Sequence, residues 1–144
     1  MSKLHIIKTI DEVLFDDLRK RTKELYEEAK HKYNHDMPFT YKMYTGAGFT
    51  RYPTPDTVRF LDSFESEIQP VTDMRRRITA WVTQFLNLCT DERAIIQLLP
   101  ESLSDQIWLR HLFTPCESDL ALIEDFKQRP EYKLIKRRLV ILTL

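Results

Sequence analysis

Apolar residues recur at helical spacing along most of this chain. In the first stripe, from position 10 to position 33, they return every three or four residues with charged residues between them. This is the pattern of a helix that buries one face. Further stripes of the same kind lie at 58–68, 74–86, 94–99, 107–113, 120–126 and 132–135. The sequence therefore predicts a mainly α protein, a compact bundle of about six helices.

Residues with known preferences for helix ends stand between these stripes. Thr9 with Glu12, and Thr114 with Glu117, have the spacing of a capping box, in which each side chain bonds to the other residue's backbone N–H. Pro130 predicts the end of one helix and the start of another, because proline lacks the N–H that a helix interior needs.

One segment departs from helical spacing. Aromatic and polar residues alternate from Phe39 onward, and the chain's two glycines, Gly46 and Gly48, follow at once. Alternation is typical of a strand, and glycine supplies the conformations that a tight turn needs. We therefore expect a small β-hairpin near 39–52, with an ordered aromatic loop as the alternative.

Both ends of the chain are short and apolar, and both are rich in β-branched residues. Residues 3–8 and 139–144 are thus candidate terminal strands that would pair with each other. For 139–144, the end of a helix is the alternative.

Composition restricts the classes of protein to consider. The 144 residues are 42% hydrophobic and 31% charged, and they suit a single domain over 1–144. The 22 basic and 22 acidic residues cancel, so electrostatic arguments must be local. Cys89 and Cys116 are expected to be free thiols in a reducing compartment. With neither a signal peptide nor a membrane span expected, the sequence predicts a soluble cytoplasmic protein.

The aromatic segment is the first candidate binding surface. It carries Tyr41, Tyr44, Arg51 and Tyr52, and tyrosine and arginine are the residues that dominate protein interfaces. Stacking on the bases of a nucleic acid, or covering one end of the core, are the alternatives. We take a protein partner bound at these four residues as the first hypothesis.

A basic segment at 127–138 is the second candidate surface. It holds six cations and one acid, for a local charge of +5. It could bind a phosphate backbone or an acidic protein. A nucleic-acid-binding surface would use Lys133, Lys136, Arg137 and Arg138, with or without the second basic run of Arg75, Arg76 and Arg77. The three consecutive arginines stand early in their predicted helix, where cations are unfavourable, so a compensating anion or an acidic helix nearby is expected.

The run between positions 91 and 128 has the outline of three short helices. DERAIIQL at 91–98 and SDQIWLRHL at 104–112, with the helix that follows, resemble the three-helix DNA-binding unit at the end of sigma-type factors. The resemblance covers about 40 residues and implies a helix that reads DNA. That helix carries four acids, Glu117, Asp119, Glu124 and Asp125, which phosphates would repel.

Few residues of the sequence suggest a metal site or a catalytic site. Glu28 and His31 have the E-x-x-H spacing of di-iron bundles, but no second such pair occurs. We expect no metal, no cofactor and no catalytic residues. The predicted function is a small non-enzymatic interaction or regulatory protein. A nucleic-acid-binding regulator is the alternative, and an unrecognised enzyme is the third hypothesis.

Overall fold

A computed structural model describes residues 2–32, 62–107 and 113–144, and in these ranges the regular structure is helical. The elements are α1 (Lys3–Lys32), α2 (Gln69–Leu88), a 3₁₀ turn η1 (Glu92–Ala94), α3 (Ile95–Leu98), α4 (Glu101–Ile107), α5 (Glu117–Lys127) and α6 (Pro130–Leu142). Residues 62–67 form a further helical stretch. The predicted mainly helical bundle is confirmed. The predicted hairpin at 39–52 lies outside the described residues.

The predicted terminal strands are wrong. Residues 3–8 open α1, and 139–142 close α6. Ile6 and Ile10 are buried one helical turn apart, as are Ile135 and Leu139. Helical periodicity therefore extends through both apolar ends and overrides the strand preference of their β-branched residues.

The two predicted capping boxes are also wrong. Because α1 begins at Lys3, Thr9 lies inside the helix, where its hydroxyl donates to the His5 carbonyl oxygen at 2.8 Å. Cys116, not Thr114, is the N-cap of α5, and it makes no side-chain cap hydrogen bond. The predicted break at Pro130 is confirmed, since α5 ends at Lys127 and Pro130 is the first residue of α6.

The described chain divides into two compact units. One comprises Met1–Asp16 and Met74–Leu144, and the other comprises Asp17–Asp73. The single-domain prediction stays a prediction.

The core of the first unit is built on the apolar face of α2. Its buried residues are Ile78, Trp81, Val82, Phe85 and Leu86. Phe126 of α5 lies against this face, with its ring edge-on to Phe85 at 5.4 Å and tilted to Trp81 at 6.1 Å between centroids. α3 packs on α4 and α5.

Asp119 fastens the turn after α2 to α5. Its carboxylate is 1% exposed and accepts the backbone N–H of Thr90 at 2.7 Å and that of Asp91 at 3.0 Å. A buried carboxylate held by two N–H donors satisfies three polar groups at once. This contact fixes the start of η1, where Asp91 in turn accepts the Arg93 N–H at 3.0 Å.

In the second unit an ion pair joins α1 to the helical stretch at 62–67. The guanidinium of Arg21 donates to both carboxylate oxygens of Glu67, at 2.8 and 3.4 Å. The hydrogen bond from Arg21 lowers the pKa of Glu67. Leu18, Leu25 and Phe64 are buried in the same unit.

Candidate functional site

α6 presents three of the predicted cations on one exposed face. Ile135 and Leu139 are buried and define the inner side of the helix. At 100° per residue, Lys133, Lys136 and Arg137 then fall on the outer side, and all three are exposed.

Arg138 does not belong to that surface. Its residue is 4% exposed, and its Nε–H donates to the Leu14 carbonyl oxygen at 2.9 Å. The guanidinium carbon lies 5.3 Å from the centre of the Phe15 ring. Phe15 has non-helical φ and ψ of −131° and 19°, so the contact falls where α1 is kinked. Arg138 is a packing residue, and its predicted role in binding nucleic acid conflicts with its burial.

The arginine run on α2 is partly neutralised. Arg75 forms a bidentate pair with Asp11 of α1, with N–O distances of 2.7 and 2.6 Å. Arg77 lies 3.7 Å from the carboxylate of Glu131 in α6. The acidic neighbours expected for this run are therefore present. Arg76 is exposed and makes no ion pair with a described residue.

Two apolar residues continue the exposed face of α6. Val140 is 60% exposed and Ile141 is 54% exposed. We call Lys133, Lys136, Arg137, Val140 and Ile141 the α6 stripe. It covers an arc of about 140° on the helix. None of its cations forms an ion pair within 2–32, 62–107 or 113–144, and Lys136 lies 4.7 Å above the Tyr132 ring.

A cleft of about 410 Å³ opens where α2 meets the start of α6. We call it the Arg77–Arg129 cleft. Its walls are formed by Arg77, Ala80, Trp81, Gln84, Arg129, Pro130 and Glu131.

The two arginines of the cleft are held differently. Arg129 donates to Gln84 Oε1 and to Asp125 Oδ2, both at 2.9 Å, and its guanidinium lies 3.8 Å above the Phe126 ring. Arg77 makes no hydrogen bond to a described residue, since 3.7 Å to Glu131 is too long for one.

Trp81 lines this cleft and carries a buried donor. The residue is 3% exposed, and its indole Nε1–H finds no acceptor among the described residues. Buried donors are nearly always paired, and this N–H is an exception among the described residues.

The two thiols differ in environment. Cys116 Sγ lies 3.2 Å from Ser118 Oγ, and this hydrogen bond lowers the pKa of the exposed Cys116 thiol. Burial raises the pKa of Cys89. Neither thiol is joined to a general base by any contact in the described ranges. No group of three metal-ligating side chains occurs among the residues described.

The remaining predicted site residues lie partly outside the described ranges. Tyr41, Tyr44, Arg51 and Tyr52 lie outside the described residues. On α5, the helix that the sigma-type resemblance assigns to DNA reading, Asp119 is buried.

Two features of these candidate sites were not identified from the sequence: the aliphatic end of the α6 stripe and the Arg77–Arg129 cleft. Val140 and Ile141 lie in the segment predicted as either a strand or the end of a helix, and the helical alternative is correct, since the helix that starts at Pro130 runs through them. No sequence signal links Arg77 and Trp81 to Arg129, because the cleft arises from packing between distant segments.

Comparisons with protein-family models, with curated proteins and with solved structures found no match to this chain. No helix in the described part of the chain is long and apolar enough to cross a membrane.

Proposed function

We propose that this chain is a non-enzymatic interaction protein that binds an acidic protein partner along the α6 stripe. The observation that carries the proposal is the stripe itself, in which three exposed cations without ion pairs to described residues continue into two exposed aliphatic side chains. An acidic amphipathic helix offers carboxylates and aliphatic groups at the same spacing.

The mixed character of the stripe favours a protein over a nucleic acid. A phosphate backbone attracts the cations of the stripe but makes few favourable contacts with the aliphatic side chains of Val140 and Ile141. Of the seven basic residues considered for nucleic acid, Arg75 is engaged by Asp11 and Arg138 is buried. Arg76, Lys133, Lys136 and Arg137 remain exposed and form no ion pair within the described ranges, and they support the nucleic-acid-binding regulator as the second candidate.

The aromatic segment belongs to the same proposal as a second contact surface. Tyr41, Tyr44, Arg51 and Tyr52, on a hairpin at 39–52, would add stacking and hydrogen-bonding groups for the same class of partner. Both cysteines of the chain are free, which supports a reducing compartment such as the cytoplasm.

A binding panel tests the class of partner. The probes are a labelled acidic amphipathic helical peptide, a short DNA duplex and vesicles containing phosphatidylserine, each titrated at low salt. We expect the peptide to bind, and the variant Lys133→Gln/Lys136→Gln/Arg137→Gln to bind it about tenfold more weakly, because three exposed charge contacts are lost.

The matched control removes three exposed lysines from α1, as Lys3→Gln/Lys8→Gln/Lys23→Gln. It should bind the peptide like the parent chain. Equal weakening by the control would overturn the stripe as the binding surface. Binding of the duplex alone would support the second candidate instead, and binding of vesicles alone would contradict both.

A further inference from the structure

The outer face of α5 combines acidic and aliphatic side chains. Asp119, Ile123 and Phe126 are buried and define the inner side of this helix. At 100° per residue, the residues on the opposite side span an arc of about 100°. All of them are exposed, and we call them the α5 face: Glu117, Leu120, Ala121 and Glu124.

The α5 face and the α6 stripe carry opposite charge. Residues 117–126 contain four acids and no base, and of the four only Asp119 is buried. Asp125 is paired with Arg129 at 2.9 Å, whereas Glu117 and Glu124 form no ion pair with any residue that the structure describes. The whole chain has no net charge, so no overall repulsion opposes contact between two copies.

The two surfaces also match in the spacing of charged and aliphatic groups. On α6, Arg137 comes four residues before Ile141, and on α5, Leu120 comes four residues before Glu124. Four residues are about one helical turn, or about 6 Å along the axis. When the two helices lie antiparallel, the carboxylate of one therefore meets the guanidinium of the other, and the aliphatic side chains meet each other.

Within a single copy, neither surface covers the other. Leu120 on the α5 face is 41% exposed, and Val140 and Ile141 on the α6 stripe are 60% and 54% exposed. A second copy brings the same two surfaces in a separate molecule, where they are free to meet their complements.

We propose that the acidic partner of the α6 stripe is a second copy of this chain, which presents its α5 face. This inference rests on the function proposed above, because it identifies the partner of the same surface. Each copy carries both surfaces, so the α6 stripe of each binds the α5 face of the other. The assembly closes as a two-fold dimer, which is the commonest symmetry of soluble homo-oligomers.

Charge reversal tests this contact in the whole chain. Sedimentation velocity measures self-association between about 1 µM and about 1 mM, a range that includes weak protein complexes. We expect the parent chain to form a dimer. Glu124→Lys and Arg137→Glu should each weaken dimerisation about tenfold, because a like-charge pair replaces an opposite-charge pair in each contact.

Mixing the two variants separates lost complementarity from misfolding. In a mixed dimer, one contact is the parental pair of charges and the other is the reversed pair, so dimers should form again. The double variant Glu124→Lys/Arg137→Glu should also dimerise by itself. Glu65→Lys and Lys23→Glu reverse exposed charges outside both surfaces, and they should dimerise like the parent.

Three results would overturn the proposal. They are a parent chain that stays monomeric over the whole range, charge-reversed variants that do not restore dimers when they are mixed, and assemblies that grow beyond two copies.

Binding of the acidic amphipathic peptide distinguishes this failure from failure of the proposed function. If the parent chain is monomeric and binds the peptide, the α6 stripe has a different acidic partner and only the dimer is contradicted. If the chain neither dimerises nor binds the peptide, both are contradicted.

Discussion

The Nε–H of Arg138 donates to the backbone carbonyl oxygen of Leu14 at 2.9 Å, although 124 positions separate the two residues. The contact joins the C-terminal half of α6 to the kink of α1 at Phe15. Neighbouring arginines of the basic segment therefore differ in role: Arg138 is buried and packs against α1, whereas Arg137 is exposed to solvent.

Replacing Arg138 should therefore destabilise the protein, whereas replacing Arg137 should not. Arg138→Met keeps an apolar stem but leaves the Leu14 carbonyl without its donor, at a cost of about 2 kcal/mol in the free energy of unfolding. Arg137→Met should change it by less than about 0.5 kcal/mol. Urea unfolding of the two variants measures the difference, and equal stabilities would show that the buried contact contributes nothing.

Asp119 should be a second position with a large effect on stability. Asp119→Ala leaves the N–H groups of Thr90 and Asp91 without their acceptor, and we expect a loss of about 3 kcal/mol. Asp119→Asn keeps one acceptor oxygen and should lose less. Glu117→Ala, an exposed acid in the same helical turn, is the control and should cost under about 0.5 kcal/mol by thermal unfolding. A loss at Glu117 as large as that at Asp119 would contradict this account of the turn.

The two thiols should react over different pH ranges. Because the hydrogen bond from Ser118 lowers the pKa of Cys116, its thiolate forms at a lower pH than that of an ordinary cysteine. Burial raises the pKa of Cys89, so its thiolate forms at a higher pH. Iodoacetamide alkylation against pH, in Cys89→Ser and Cys116→Ser, should give a lower midpoint for Cys116.

Ser118→Ala should move the Cys116 midpoint upward, because it removes the hydrogen bond that favours the thiolate. An unchanged midpoint in that variant would show that the serine hydroxyl is not the cause.

The helices of this chain could be predicted from sequence because each buries one periodic apolar face. The stripe at 74–86 contains the buried residues of α2, and Pro130 begins α6 as expected. The terminal strands were mispredicted because Ile6 and Ile7 favour strands locally, whereas Ile6 and Ile10 together cover one face of a helix.

The candidate sites were less accessible to sequence reasoning. Lys133, Lys136 and Arg137 can be identified from their charge and from their i, i+3, i+4 spacing on a helix, and the structure places them on an exposed face. The buried side chain of Arg138 bonds to the Leu14 carbonyl oxygen, beside a kink far away in sequence, and no local pattern predicts that contact. The cleft likewise depends on how α2 and α6 pack.

The central claim is that the cations and the aliphatic residues of the α6 stripe act together on one acidic protein partner. The measurement that tests it most directly is the Kd of the acidic amphipathic peptide for Val140→Ser/Ile141→Ser, with Leu4→Ser/Leu88→Ser as the control. Leu4 and Leu88, at 80% and 59%, are aliphatic residues outside the stripe with exposures similar to or greater than those of Val140 and Ile141.

The account predicts that Val140→Ser/Ile141→Ser weakens peptide binding about tenfold, because two apolar contacts are lost, while the control binds as the parent does. An unchanged Kd in Val140→Ser/Ile141→Ser would contradict it, since binding would then depend on charge alone.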